Sequence, residues 1–122
     1  MSLELLKGMG VKIPYKAKYD NFIGGKWVAP KGGEYFDVIT PITGLPYTKA
    51  ARSGEADVEL ALDAAHEAFK TWSKTSATTR SNILLKIADI IEQNLMYLAT
   101  VETIDNGKPI RETIHADLPL VV

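Results

Sequence analysis

The chain has 122 residues, 46% of them hydrophobic and 24% charged. That is room for one domain at most, and the composition excludes a collagen, a disordered acidic tail and a multidomain enzyme. Lys and Arg number 14 against 15 Asp and Glu, a net charge of -1 with no cysteine, so the chain has no electrostatic footprint for nucleic acid, no charge to hold an anionic membrane, and no disulfide, thiolate nucleophile or cysteine metal site.

Residues 1–20 read as an N-terminal arm. Lys7, Lys12, Lys16 and Lys18 outnumber Glu4 and Asp20, and Gly8, Gly10 and Pro14 break any regular pattern, so the arm is expected to lie extended on something larger or to be mobile. Its apolar cluster is too short for a signal peptide, and no apolar run approaches the ~18 residues that span a bilayer. The expectation is a soluble cytoplasmic chain with no membrane or nucleic-acid partner.

Residues 21–52 carry β signals. Phe22-Ile23 and Lys26-Trp27-Val28 flank Gly24-Gly25, a pair that tolerates positive φ and predicts a hairpin. Glu34 to Thr40 predicts a third strand. Pro41-Ile42-Thr43-Gly44 is placed for a reverse turn, and Leu45 to Ala51 is a fourth strand weakened by Pro46.

From Ser53 the period turns helical. Val58, Ala61, Leu62, Ala65, Phe69 and Trp72 form one apolar stripe, with Ser53 placed to cap it and Glu55, Asp57 and Glu59 near the positive end of the dipole. A second helix opens at Ser76 or Thr78, carries Ile83, Leu84, Ile87, Ile90 and Ile91, and is interrupted near Gln93-Asn94. A third carries Leu95, Leu98, Ala99 and Glu102 and stops at Asn106-Gly107, with Pro109 after it. Asp117-Leu118-Pro119 resembles a further helix start, yet only Leu120, Val121 and Val122 follow. This end reads either as a helix cut short or as a strand or plug packed on the core. No long Val/Ile run supplies a central parallel strand for these helices to pack on.

The chemistry visible in these residues is slight. Neither glycine pair fits a phosphate-loop or dinucleotide spacing, and both sit in hairpin contexts. His66 reads as a helix-flank residue. His115 and Asp117 stand two apart, a spacing that does not face on a helix. Asp105-Asn106-Gly107 lacks the alternating oxygens of a calcium loop. The residues by themselves stop at an α+β soluble chain with no visible active site; a helical interaction module, pairing through the Phe69/Trp72 or Ile83/Ile87/Ile91 faces, is the non-catalytic reading.

Several stretches taken together resemble a known family. They are Asn21 to Val28, Thr40 to Gly44, Leu60 to His66 with Trp72, Arg80, Leu85 to Asp89, Ile91 to Asn94, Glu102 to Pro109 and Arg111-Glu112-Thr113. Their order and spacing resemble the N-terminal region of NAD(P)-dependent aldehyde dehydrogenases, most of all the bacterial acetaldehyde and aliphatic aldehyde enzymes. The resemblance implies an α/β parent fold. Residues 21–122 would be the leading, truncated part of the cofactor domain, a hairpin-rich lead-in with amphipathic helices flanking a Rossmann-like sheet that lies later in the polypeptide. It also implies NAD or NADP as cofactor, an aldehyde substrate and a homo-oligomer. The nucleophilic Cys, the general base and the dinucleotide glycines would likewise lie later, so no catalytic or cofactor-binding residue is expected in this chain, and the chain alone is expected to be inactive. The mechanism implied for the whole enzyme is thiolate attack on the aldehyde, hydride transfer to the nicotinamide and hydrolysis of the thioester. Some family members bind a structural monovalent cation through strand oxygens matching Val38 and Ile39 and through the Asp matching Asp105.

Overall fold

The structure, a computed structural model, describes residues 15–122. The N-terminal part of the predicted arm lies outside the described residues. The chain divides into two units, one built from residues 16–38 and 48–76 and the other from Tyr15, residues 39–47 and residues 77–122.

The first unit begins with β1 (Lys18–Tyr19), β2 (Asn21–Ile23) and β3 (Lys26–Val28). Strands β2 and β3 form the predicted antiparallel hairpin, pairing Phe22 with Trp27 and Ile23 with Lys26. Its turn is made by Gly24 at φ 58° and Gly25 at φ 78°, a left-handed pair that a two-residue hairpin of this twist requires. Phe22 and Trp27 meet on one face at a centroid separation of 5.2 Å, and the Lys16 ammonium lies 4.7 Å from the Trp27 ring centroid. β4 (Tyr35–Ile39) and β5 (Pro46–Ala51) join β1 in a three-stranded sheet of order β1-β5-β4. β1 runs parallel to β5, with Lys18 opposite Lys49 and Tyr19 opposite Ala50. Pro46 is tolerated because it opens its strand, where a missing N–H costs least. Helix α1 (Glu55–Trp72) follows.

The second unit holds the reverse turn and the remaining helices. Gly44, at φ 67°, donates its N–H to Thr40 at 2.9 Å, and Thr40 donates to Leu45 at 3.1 Å, closing the predicted turn. α2 (Ala77–Gln93) and α3 (Leu95–Asn106) are separated by Asn94 alone. Asn94 donates its side-chain amide to the Ile90 carbonyl at 2.8 Å, beside the backbone N–H it gives the same oxygen at 3.2 Å, so the residue that interrupts the helix also binds back onto its last turn. Gly107 ends α3 in the left-handed conformation and donates to Thr103 at 2.9 Å. A short turn α4 (Ile110–Glu112) runs into a π turn (Thr113–Asp117).

Two predicted features are corrected. Ser53 does not cap α1: Gly54 stands at the cap, and the Ser53 hydroxyl donates to Asn21 Oδ1 at 2.9 Å. Asp57 binds the cap's N–H instead, from three residues inside the helix. Asp117 does not open a new helix either. It ends the π turn, which Leu118 N–H closes on the Thr113 carbonyl at 3.1 Å. Leu120 N–H then bonds the Ala116 carbonyl at 3.2 Å, so the same turn runs on past Pro119, and the Asp117 carboxylate is already bound by Lys108.

The buried residues show what these elements lack. Among the described residues they are Pro30, Thr40, Thr48, Asp57, Ala99 and Thr113, four of them polar in a chain that is 46% hydrophobic. The apolar stripe of α1 faces outward, with Phe69 64% exposed, and so does that of α2, with Leu84 67% exposed. Apolar faces this open are the mark of surfaces that another body covers.

Candidate functional site

In the second unit the turn after β4 is fastened to the last turn of α3. Thr40, 6% exposed, donates its hydroxyl to the Ile104 carbonyl. The Tyr47 hydroxyl donates to Asp105 Oδ1. Pro41 packs against Gly107, where even a methyl group would sit 2.9 Å from the proline Cγ. The segment that follows is held by its own side chains. Asn106 donates to Glu102 Oε1 at 2.6 Å and accepts the Lys108 N–H at 2.8 Å. Thr113 is fully buried, its hydroxyl 3.0 Å from that of Thr103 and 3.0 Å from the Ile110 carbonyl. This hydroxyl pair, Thr113 buried and Thr103 half-buried, joins α3 to the π turn and leaves neither oxygen unmatched.

Lys108 grips both oxygens of Asp117, at 2.9 and 2.7 Å. That hydrogen bond holds the Lys108 ammonium above its ordinary 10.5, and the charges of Asp117, Glu102 and Glu112 add to it against partial desolvation. A raised lysine contributes stability in full below pH 10.5 and loses it as pH climbs through the higher folded value. We expect Asp117→Asn to speed amide exchange at Leu118 at neutral pH, and the parent to lose the same protection only in alkali. Equal exchange in both proteins at neutral pH would mean that the pair does not hold the turn.

The first unit has a different polar centre. Asp57 is 3% exposed; its Oδ1 accepts the Lys31 N–H at 2.8 Å and its Oδ2 the Gly54 N–H at 3.0 Å. The Gly54 bond first and the Lys31 bond second hold the carboxyl below its ordinary 3.8. A depressed carboxyl contributes stability above pH 3.8 and loses it as pH falls through the lower folded value. Asp57→Ala is expected to raise amide exchange at both Lys31 and Gly54 at neutral pH, while the parent shows that rise only in acid.

This centre faces a groove of about 380 Å³ lined by Lys31, Arg52, Ser53, Gly54 and Glu55 among others. Its strand–turn–helix placement is superficially that of a phosphate cradle. A pyrophosphate does not fit, because the Asp57 carboxylate already occupies the Lys31 and Gly54 N–H groups at the groove, and its charge with those of Glu34 and Glu55 repels an anion.

Of the residues expected to hold a cation, Val38 is half-buried in β4 in the first unit, while Ile39 and Asp105 are exposed in the second. Ile39 and Asp105 adjoin Thr40 and Ile104, which are hydrogen-bonded to each other. Among the described residues, no three His, Asp or Glu side chains come together as metal ligands, and His66 and His115 are both exposed. Sequence reasoning missed Tyr47, Thr40 and the Thr103–Thr113 pair, for which no local pattern exists. It placed Asp57 near the positive end of α1, where the structure has it in the first turn, but not its bond to Gly54, although three residues after the cap is the spacing of a capping carboxylate.

No helix among the described residues is long and apolar enough to cross a membrane. Acetaldehyde dehydrogenase 2 of Cupriavidus necator is 58% identical over 122 residues, which is 100% of this chain and 24% of that protein. A long-chain-aldehyde dehydrogenase of Acinetobacter sp is 60% identical over 113 residues, 93% of this chain and 22% of the relative. The solved structure of a mutant P. syringae AldA indole-3-acetaldehyde dehydrogenase, in complex with NAD+ and IAA, superposes with a TM-score of 0.80 at 36% identity. That superposition covers 86% of this chain and 22% of the other. The chain thus spans about a quarter of the length of the curated relatives it matches. The model of the Aldehyde dehydrogenase family matches residues 27–122, a span that takes in Trp27 of the hairpin, the Pro41–Gly44 turn and the fastened Asp105–Pro109 segment, and the chain belongs to that family.

Proposed function

We propose that this chain is the leading part of an NAD(P)-dependent aldehyde dehydrogenase that oxidises an aldehyde to a carboxylic acid. The observation that carries the reading is the 58% identity, over all 122 residues, to an acetaldehyde dehydrogenase. The outward apolar stripes of α1 and of α2 support it, since each needs a covering body. NAD(P), when bound, supplies the hydride acceptor. The chain's own residues contribute no thiolate nucleophile, there being no cysteine among them, and their part is scaffolding: Thr40, Tyr47 and Gly107 hold the turn onto α3. A cytoplasmic setting and a homo-oligomeric assembly belong to the same proposal.

The experiment is a chimera in which this chain replaces the matching 122 residues of the Cupriavidus necator enzyme. It is expected to reduce NAD+ in the presence of acetaldehyde, while the 122-residue chain alone forms no NADH. A folded chimera without activity would overturn the reading. The non-catalytic alternative, a helical interaction module, predicts that the isolated chain is compact and unfolds cooperatively; strong hydrophobic-dye binding speaks for the enzyme part.

The same reading includes a structural monovalent cation, with the Asp105 carboxylate and the Ile39 carbonyl among its donors. Their chemistry suits it, since hard cations take oxygen ligands, and Tyr47 fixes one carboxylate oxygen. In the chimera, potassium is expected to raise the thermal midpoint, and Asp105→Ala to abolish that dependence.

A further inference from the structure

We draw no further inference here: the strongest candidate, the groove beside the N-terminus of α1 lined by Lys31, Arg52 and Ser53, is a helix N-terminus whose cap N–H Asp57 already takes, with no second observation pointing to a ligand.

Discussion

Replacing Gly107 by Ala is expected to destabilise the chain by about 1–2 kcal/mol from backbone conformation alone, with a further loss from a steric clash. The glycine holds φ at 80°, a region where a Cβ crowds the adjoining carbonyl. The added methyl would also sit 2.9 Å from Pro41 Cγ and 3.6 Å from Pro41 Cβ. A proline ring cannot swing aside as a long flexible side chain can, so the turn or the end of α3 must shift. Gly32 is the control. It has nothing within 4 Å of its would-be Cβ and no positive φ, so Gly32→Ala is expected within about 0.5 kcal/mol of the parent. Urea denaturation of both variants, each carried in the chimera with the Cupriavidus necator enzyme, decides it. Equal midpoints would mean that the turn is not held against α3.

The second large effect belongs to Thr113. Its side chain is fully buried, and its hydroxyl has the Thr103 hydroxyl and the Ile110 carbonyl as partners, each at 3.0 Å. Thr113→Val keeps the shape and removes the hydroxyl, so the Thr103 oxygen loses its buried partner. The expected cost is about 1–3 kcal/mol. Removing both hydroxyls is a different matter, because two apolar groups of the same shape leave nothing unmatched between them. Thr103→Val combined with Thr113→Val is therefore expected to recover part of the loss, giving a coupling of about 0.5 kcal/mol or more in a double-mutant cycle. Strict additivity of the two substitutions would show that the hydroxyls do not act as a pair.

The first effect concerns a contact between segments far apart in the chain and the second a bond between successive turns, and neither partner could be read in advance. The hairpin was legible because Gly24-Gly25 between two aromatic-bearing runs leaves few alternatives. The three long helices were legible from their apolar period, and the stop at Asn106-Gly107 from its chemistry. Asp105 was singled out only through family resemblance, and its tie to Tyr47 spans 58 positions. The hydrogen bond from Thr40 to Ile104 spans 64. No local pattern encodes a partner at such a distance.

The end of the chain shows the limit most clearly. Asp117-Leu118-Pro119 has the composition of a helix start, and Asp117 would cap one if its carboxylate were free. Lys108 binds it from nine positions upstream, and Leu118 closes a wider turn on Thr113. Ser53 was likewise the better capping residue by type, yet its hydroxyl is drawn to Asn21, Gly54 stands at the cap and Asp57 binds that residue's N–H.

From its residues alone this protein determined its element types, its turns and its family, because backbone preference, apolar period and ordered motifs act over a few neighbouring positions. Only the tertiary structure decided which polar groups find one another and which apolar faces stay uncovered. Those outcomes depend on where distant segments meet, and a hydrogen bond or a buried surface exists only once both halves are brought together.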